Sequence, residues 1–228
     1  MLLLAFDTAT PAVTAALLDT DSDTDSGTVL ASADQVDARR HGELLLPAVD
    51  RVLRTAGVGK EQLGALVVGV GPGPYTGLRV GLATAAALGH ALGIPVHGVC
   101  TLDGIAHAAR EAGLQGAFTA ATDARRKEVY WASYDAAGAR VDGPHVDRPA
   151  EVAERLGQLP AVGAGALLYP EVFRDVPAGM PVHQSAAALA KYAAAELAAG
   201  RPLLPPTPLY LRRPDAEVPK NYKTVLPA

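Results

Sequence analysis

Val70-Gly71-Pro72-Gly73-Pro74-Tyr75-Thr76-Gly77-Leu78-Arg79-Val80-Gly81 is the stretch on which the fold turns. Before it, Leu63 to Val70 is a valine-rich run of strand length. After it, Tyr75 to Leu92 keeps helical spacing up to a stop at Gly93. A strand that feeds a helix through a glycine-proline loop is the βα joint of an α/β protein. Glycines let another group approach the backbone, and a helix start favours an anion, so Gly71 and Gly73 are candidate phosphate contacts. A tight strand-to-helix turn plus helix packing explains the same residues, and on physics alone it is the reading to prefer.

Within that helix Gly77, Gly81, Ala85 and Gly89 recur every four residues and form one ridge. Small residues in a row leave a groove into which a second helix fits. Each glycine costs a helix about 1 kcal/mol relative to alanine, which asks for a compensating contact. That contact is either the chain's own sheet or a partner chain, and the expectation is a partner. Gly81→Leu is then expected to abolish pairing and leave the fold intact.

Working outward, Leu2 to Thr8 and Val13 to Leu18 read as a hairpin, and Thr28 to Ala33 as a third strand. His41 to Ala56 has Leu45, Val49, Val52 and Ala56 at helical spacing, stops at Gly57, and contains Pro47, which predicts a late start or a kink. Pro95 to Val99 is a strand and Leu102 to Ala112 a helix. The pattern then starts over, with strands at Ala117 to Thr122 and Val129 to Tyr134. A helix at Ala150 to Leu156, a strand-to-turn segment at Ala161 to Gly165 and a helix at Ser185 to Ala199 complete it. The repeated element order predicts two duplicated α/β lobes, 1–100 and 117–213, joined by a connecting helix at 101–116. Beyond Arg201 prolines preclude regular structure, so the chain wraps the body or hangs free, with 214–228 as a flexible tail.

Hydrophobic residues make up 49% of the 228, enough for a sizeable core, and the net charge of −4 lacks the basic excess of a protein that grips nucleic acid unaided. The single cysteine, Cys100, excludes an intrachain disulfide and suits a reducing compartment. The apolar run at the N-terminus meets Asp7 too early for a signal peptide or a membrane span, so a cytoplasmic protein is expected.

Asp7 and Thr8, at the end of the first strand, suit a phosphate or metal site, or equally a capped turn. Asp123 stands at the matching place in the second half, at the start of Asp123-Ala124-Arg125-Arg126-Lys127-Glu128-Val129-Tyr130, which is either an ion-paired corner or a docking patch. The acidic segment Asp19 to Gly27 fails as a calcium loop, because Ser26 and Ser32 stand where glycine and an acid belong. No two histidines share the spacing of a helical metal pair, and one cysteine makes no zinc set.

Phe6-Asp7-Thr8-Ala9-Thr10, His41-Gly42-Glu43-Leu44-Leu45-Leu46-Pro47, the Gly71-to-Gly81 motif, Asp123-Ala124-Arg125-Arg126 and Tyr210-Leu211-Arg212 together resemble the TsaB (YeaZ) family, in family order across most of the chain. The resemblance implies the actin-like (sugar kinase/Hsp70) fold and a non-catalytic scaffold role in making threonylcarbamoyladenosine on tRNA. It also implies pairing with the catalytic relative TsaD through the helices at 43–56 and 76–92, with Leu45, Val49, Val52, Gly77, Gly81, Ala85 and Gly89 in the interface. TsaE joins the assembly, tRNA is met only through the complex, and no membrane is involved. The chain has no cofactor of its own, ATP or ADP has room at the shared interface, and a homodimer is open when the chain is alone. TsaD binds a metal through two histidines shortly after a Gly-Ile-Pro strand. Here Gly93-Ile94-Pro95 leads to Thr101 and Ile105 at those places, neither of them a good ligand, which argues against a metal site and a metalloprotease. The alternative is an actin-like small-molecule kinase or ATPase with Asp7 and Asp123 as metal-linked carboxylates and Gly163 and Gly165 against adenosine.

Overall fold

The computed structural model describes residues 1–21, 27–157 and 159–212. Most of the acidic stretch after Asp21 and the tail 214–228 lie outside the described residues. β1 (Leu2–Asp7), β2 (Ala12–Asp19) and β3 (Thr28–Val36) form an antiparallel meander. After α1 (His41–Ala56), β4 (Leu63–Gly69) returns parallel to β1. α2 (Tyr75–Leu92) then leads to β5 (Val96–Val99) and gives the order β3-β2-β1-β4-β5. α3 (Thr101–Glu111) crosses to the second half. There β6 (Phe118–Asp123), β7 (Val129–Tyr134) and β8 (Arg140–Asp147) repeat the meander, and α4 (Pro149–Leu156) leads to β9 (Ala161–Val162), parallel to β6. The second order, β8-β7-β6-β9, repeats the first four strands of the first sheet. This duplication is the actin-like fold. α5 (Ala164–Leu168) and α6 (Ala186–Ala198) close the chain.

β1 reads as an unbroken apolar run because both of its faces are covered. Leu4 and Phe6 point into a core shared with Leu45, Val49 and Val52 of α1, and Leu3 and Ala5 meet Leu189, Ala190 and Ala193 of α6. α3 packs Leu102, Ile105 and Ala109 on Phe118, Ala120 and Tyr134 of the second sheet. The connecting helix α3 thus covers the second sheet, and α6 of the second half covers the first. Helix periodicity in the sequence does not say which sheet a helix covers, so the crossing of α6 to the first sheet has no sequence signal.

Three further differences have local causes. β8 is absent from the sequence reading because Gly143-Pro144 lies inside it and looks like a turn. α5 is too short to show a period. Pro47 neither delays nor breaks α1, which runs unbroken from His41 to a left-handed Gly57. Residues 202–212 wrap the body: Leu204 bridges Gly98 beside β5, Leu209 donates its N–H to the Val70 carbonyl at 2.9 Å, and Arg212 donates to the Ala124 carbonyl at 3.0 Å. Among the described residues no helix is long and apolar enough to cross a membrane.

Candidate functional site

The candidate phosphate residues meet where β1 ends, and the chain itself fills that place. Asp7 is fully buried; its carboxylate accepts the Ala9 N–H at 2.6 Å and the Thr101 hydroxyl at 2.7 Å. Burial pushes the Asp7 carboxyl up to about 6 against the downward pull of those bonds. A side chain at Gly69 would overlap this carboxylate. Thr8 donates its hydroxyl to the Gly77 carbonyl at 2.7 Å and accepts the Gly81 N–H at 3.0 Å. The Gly71–Gly73 loop needs its glycines because Gly73 lies on the Ala9 backbone and Gly71 has φ +94°. Gly163 and Gly165 are held in the same way against the backbone of Ala121 and Thr122. Asp7 and Thr8 thus have hydrogen-bond partners within the chain, and a side chain at Gly73, Gly163 or Gly165 would overlap its backbone. Close approach of the chain's own backbone is what excludes a side chain at Gly73, Gly163 and Gly165.

Asp123 has the other role considered for it. It accepts the Arg125 N–H at 2.7 Å and pairs with the Arg125 guanidinium at 3.5 Å, so it caps an ion-paired corner. Arg125, Arg126 and Lys127 all hold positive φ, between 57° and 61°, an unusual run for side chains with a Cβ. Of the residues aligned with metal ligands, Thr101 is bound to Asp7 and Ile105 lies in the core under α3. Among the described residues no group of three or more His, Cys, Asp or Glu side chains is placed to hold a metal.

The glycine ridge faces inward. A Cβ on Gly81 would stand 2.7 Å from the Thr8 hydroxyl, one on Gly89 would overlap Val96, and Ala85 is fully buried in the first core. Leu45, Val49 and Val52 are core residues under α1. The seven positions named as a partner interface are therefore packed on this chain's own sheet, and Gly81→Leu would damage the fold before it could report on pairing. The opposite side of α2 carries a second four-residue ridge, Arg79, Ala83, Ala87 and Ala91, all exposed. α1, which packs against α2, has Leu46, 55% exposed, and the ion-paired Asp50 and Arg54 on its own outer surface.

A cleft of about 270 Å³ opens where the two lobes meet at the start of α2. Thr10, Arg39, His41, Thr76, Gly77 and Arg125 are among its walls, and no described residue lining it is acidic. His41 donates from Nε2 to the Thr10 carbonyl at 2.8 Å.

Against known proteins, residues 29–201 match the family model described as TsaD: tRNA N6-adenosine threonylcarbamoyltransferase. The Escherichia coli protein named tRNA threonylcarbamoyladenosine biosynthesis protein TsaB is 34% identical over 183 residues, covering 77% of this chain and 76% of that one. YeaZ from Pseudomonas aeruginosa superposes with a TM-score of 0.76 at 30% identity, over 92% of this chain and 99% of that one. The chain belongs to the TsaB (YeaZ) family. An uncharacterized Mycobacterium tuberculosis protein is nearer in sequence, 47% identical over 94% of this chain and 93% of its own length.

In this TsaB-family chain the sequence segments behind the resemblance fall into two groups. Asp7-Thr8 and Gly71 to Gly81 interlock as one buried joint. His41, Arg125 and the first turn of α2 surround the open cleft. Arg39 escaped the sequence reading as a site residue, although the Arg39-Arg40 pair is visible there. Its proximity to Arg125 depends on how the lobes meet, and that has no local signature.

Proposed function

We propose that this chain is a non-catalytic scaffold of the assembly that makes threonylcarbamoyladenosine on tRNA, pairing with a TsaD subunit and helping to recruit TsaE. The observation that supports it is the pairing of a sealed Asp7 joint with an exposed alanine ridge. The carboxylate that an actin-like enzyme would turn toward metal and phosphate is locked by Thr101 and Ala9. The outer face of α2, by contrast, offers Ala83, Ala87 and Ala91, side chains small enough for a partner helix to lie close. Leu46 on α1, the helix packed against α2, supplies an apolar anchor. Catalysis then belongs to the TsaD subunit. ATP or ADP is met at the shared interface, tRNA is met as part of the assembly, and the setting is the cytoplasm.

The test is co-purification with a TsaD subunit. Ala87→Arg is expected to keep the fold and lose the partner. Retention of normal pairing would refute docking through this face. The kinase alternative is checked by magnesium-dependent ATP turnover of the purified chain, expected to be absent; turnover removed by Asp7→Ala would restore that alternative.

A further inference from the structure

We propose that the cleft at the start of α2, with the tyrosine pair beside it, is an RNA contact surface, taking a backbone phosphate in the cleft and a base on the rings. The proposal deepens the reading above, since it assigns part of the assembly's tRNA contact to this chain. Net charge of −4 hides a local clustering. Arg39 comes from the segment entering α1, and Arg125, whose guanidinium also pairs with Asp123 at 3.5 Å, from the β6–β7 corner. Both line one cleft whose described lining residues include no acid, and the His41 ring, bound to the Thr10 carbonyl, lines it with them. The first turn of α2 completes the wall through Thr76 and Gly77; it has no acidic residue and no side-chain cap, so its positive end is unopposed.

Next to the cleft, Tyr75 and Tyr210 are 51% and 45% exposed and stack with ring centroids 5.5 Å apart. The Arg79 guanidinium lies 4.0 Å from the Tyr75 centroid and donates from Nε to the Tyr210 hydroxyl at 3.3 Å. Two residues on, Arg212 binds the Ala124 carbonyl and Glu128, so one segment holds the rings beside the corner that carries Arg125. The rings cover a face of each other and Arg79 lies over Tyr75, so what is offered is the exposed outer surface of a Tyr–Tyr–Arg stack. Exposed aromatic surface next to cationic side chains is how unpaired bases and their phosphates are held. A free nucleotide fits less well. The rings are not among the walls of the cleft, so a small molecule enclosed there would not be gripped by both parts. That arrangement suits a strand lying across the surface.

The experiment titrates the assembled complex with a fluorescent tRNA anticodon stem-loop at several salt concentrations. The complex carries either the wild-type chain, Arg39→Ala with Arg125→Asn, or Tyr75→Ala. Asparagine is chosen at position 125 because it tolerates positive φ. The double variant is expected to bind about tenfold more weakly, with the slope of log K against log salt reduced by about 0.7 per arginine removed. Tyr75→Ala is expected to lose about fivefold or more with the slope unchanged. Intact complexes with unaltered affinity and slope would overturn the proposal. So would ATP or inorganic phosphate binding that depends on the two arginines while RNA binding does not, which would make the cleft a free-nucleotide site. Size-exclusion chromatography of the same samples separates the two readings. If no complex forms with the wild-type chain, the scaffold reading fails, and the same titration of the lone chain decides the RNA contact.

Discussion

Asp7 shows how a residue typical of an enzyme becomes a structural one. Its carboxyl is raised from an ordinary 3.8 to about 6, mainly by burial. The folded state therefore holds the proton more tightly than the unfolded state does. Stability contributed at this position is present below pH 3.8, falls as pH rises toward 6, and stays lost above, by about 3 kcal/mol in total. Asp7→Asn removes the titration and should flatten that part of the profile, measured by urea unfolding between pH 4 and pH 7. Parallel profiles for the two proteins would contradict the assignment. Gly81 is held to the same joint, because a Cβ there would meet the Thr8 hydroxyl at 2.7 Å. Gly81→Leu should cost the lone chain about 3 kcal/mol or more in unfolding free energy. An unchanged urea midpoint would mean that the ridge is not packed as described.

At the scale of the helix, α2 has a glycine-rich ridge on one side and, on the other, a ridge of three alanines that begins at Arg79. The one rich in glycine is the conspicuous one in sequence, and it serves the sheet. Spacing of four reports that something comes close; it does not report which chain supplies it. That is why Gly77, Gly81, Ala85 and Gly89 were legible as a contact ridge and not as an internal one. The strands of the first sheet were legible because β1 and β4 are apolar on both faces and glycines end the helices at Gly57 and Gly93. β8 was not, since its exposed face and Gly143-Pro144 erase the alternation. Ala83→Arg, on the outer ridge, should leave the thermal midpoint of the lone chain unchanged and weaken pairing, in contrast to Gly81→Leu. A large loss of thermal stability in Ala83→Arg would place this ridge in the core as well.

For the whole molecule, duplication was readable from element order, and the way the halves are tied together was not. α3 and α6 change places between lobes, and Gln184 reaches back to bind Thr14 at 2.7 Å and the Asp7 and Ala12 carbonyls at 3.2 and 3.1 Å. Residues 202–212 add a strap from β5 to the β6–β7 corner. These contacts join residues far apart in the chain and leave no periodic trace. Ending the chain after Arg201 should lower the unfolding midpoint in calorimetry yet keep a single transition, because α3 and α6 still cross. Two resolved transitions would mean that the strap alone couples the lobes. The candidate cleft depends on the same assembly: Gly77 and the arginine corner could be singled out from sequence, but their meeting with Arg39 and His41 could not.

The claim beneath all three scales is that α2 turns its glycine ridge to its own sheet and its alanine ridge to a partner. Cys100 makes that directly measurable: it is fully buried, which pushes its thiol up to about 12 and shields it, so a cysteine on the surface is labelled in preference to it. In an Ala87→Cys chain, maleimide should label position 87 rapidly when the chain is alone and slowly once a TsaD subunit is bound. Equal labelling rates in a demonstrably formed complex would contradict the account.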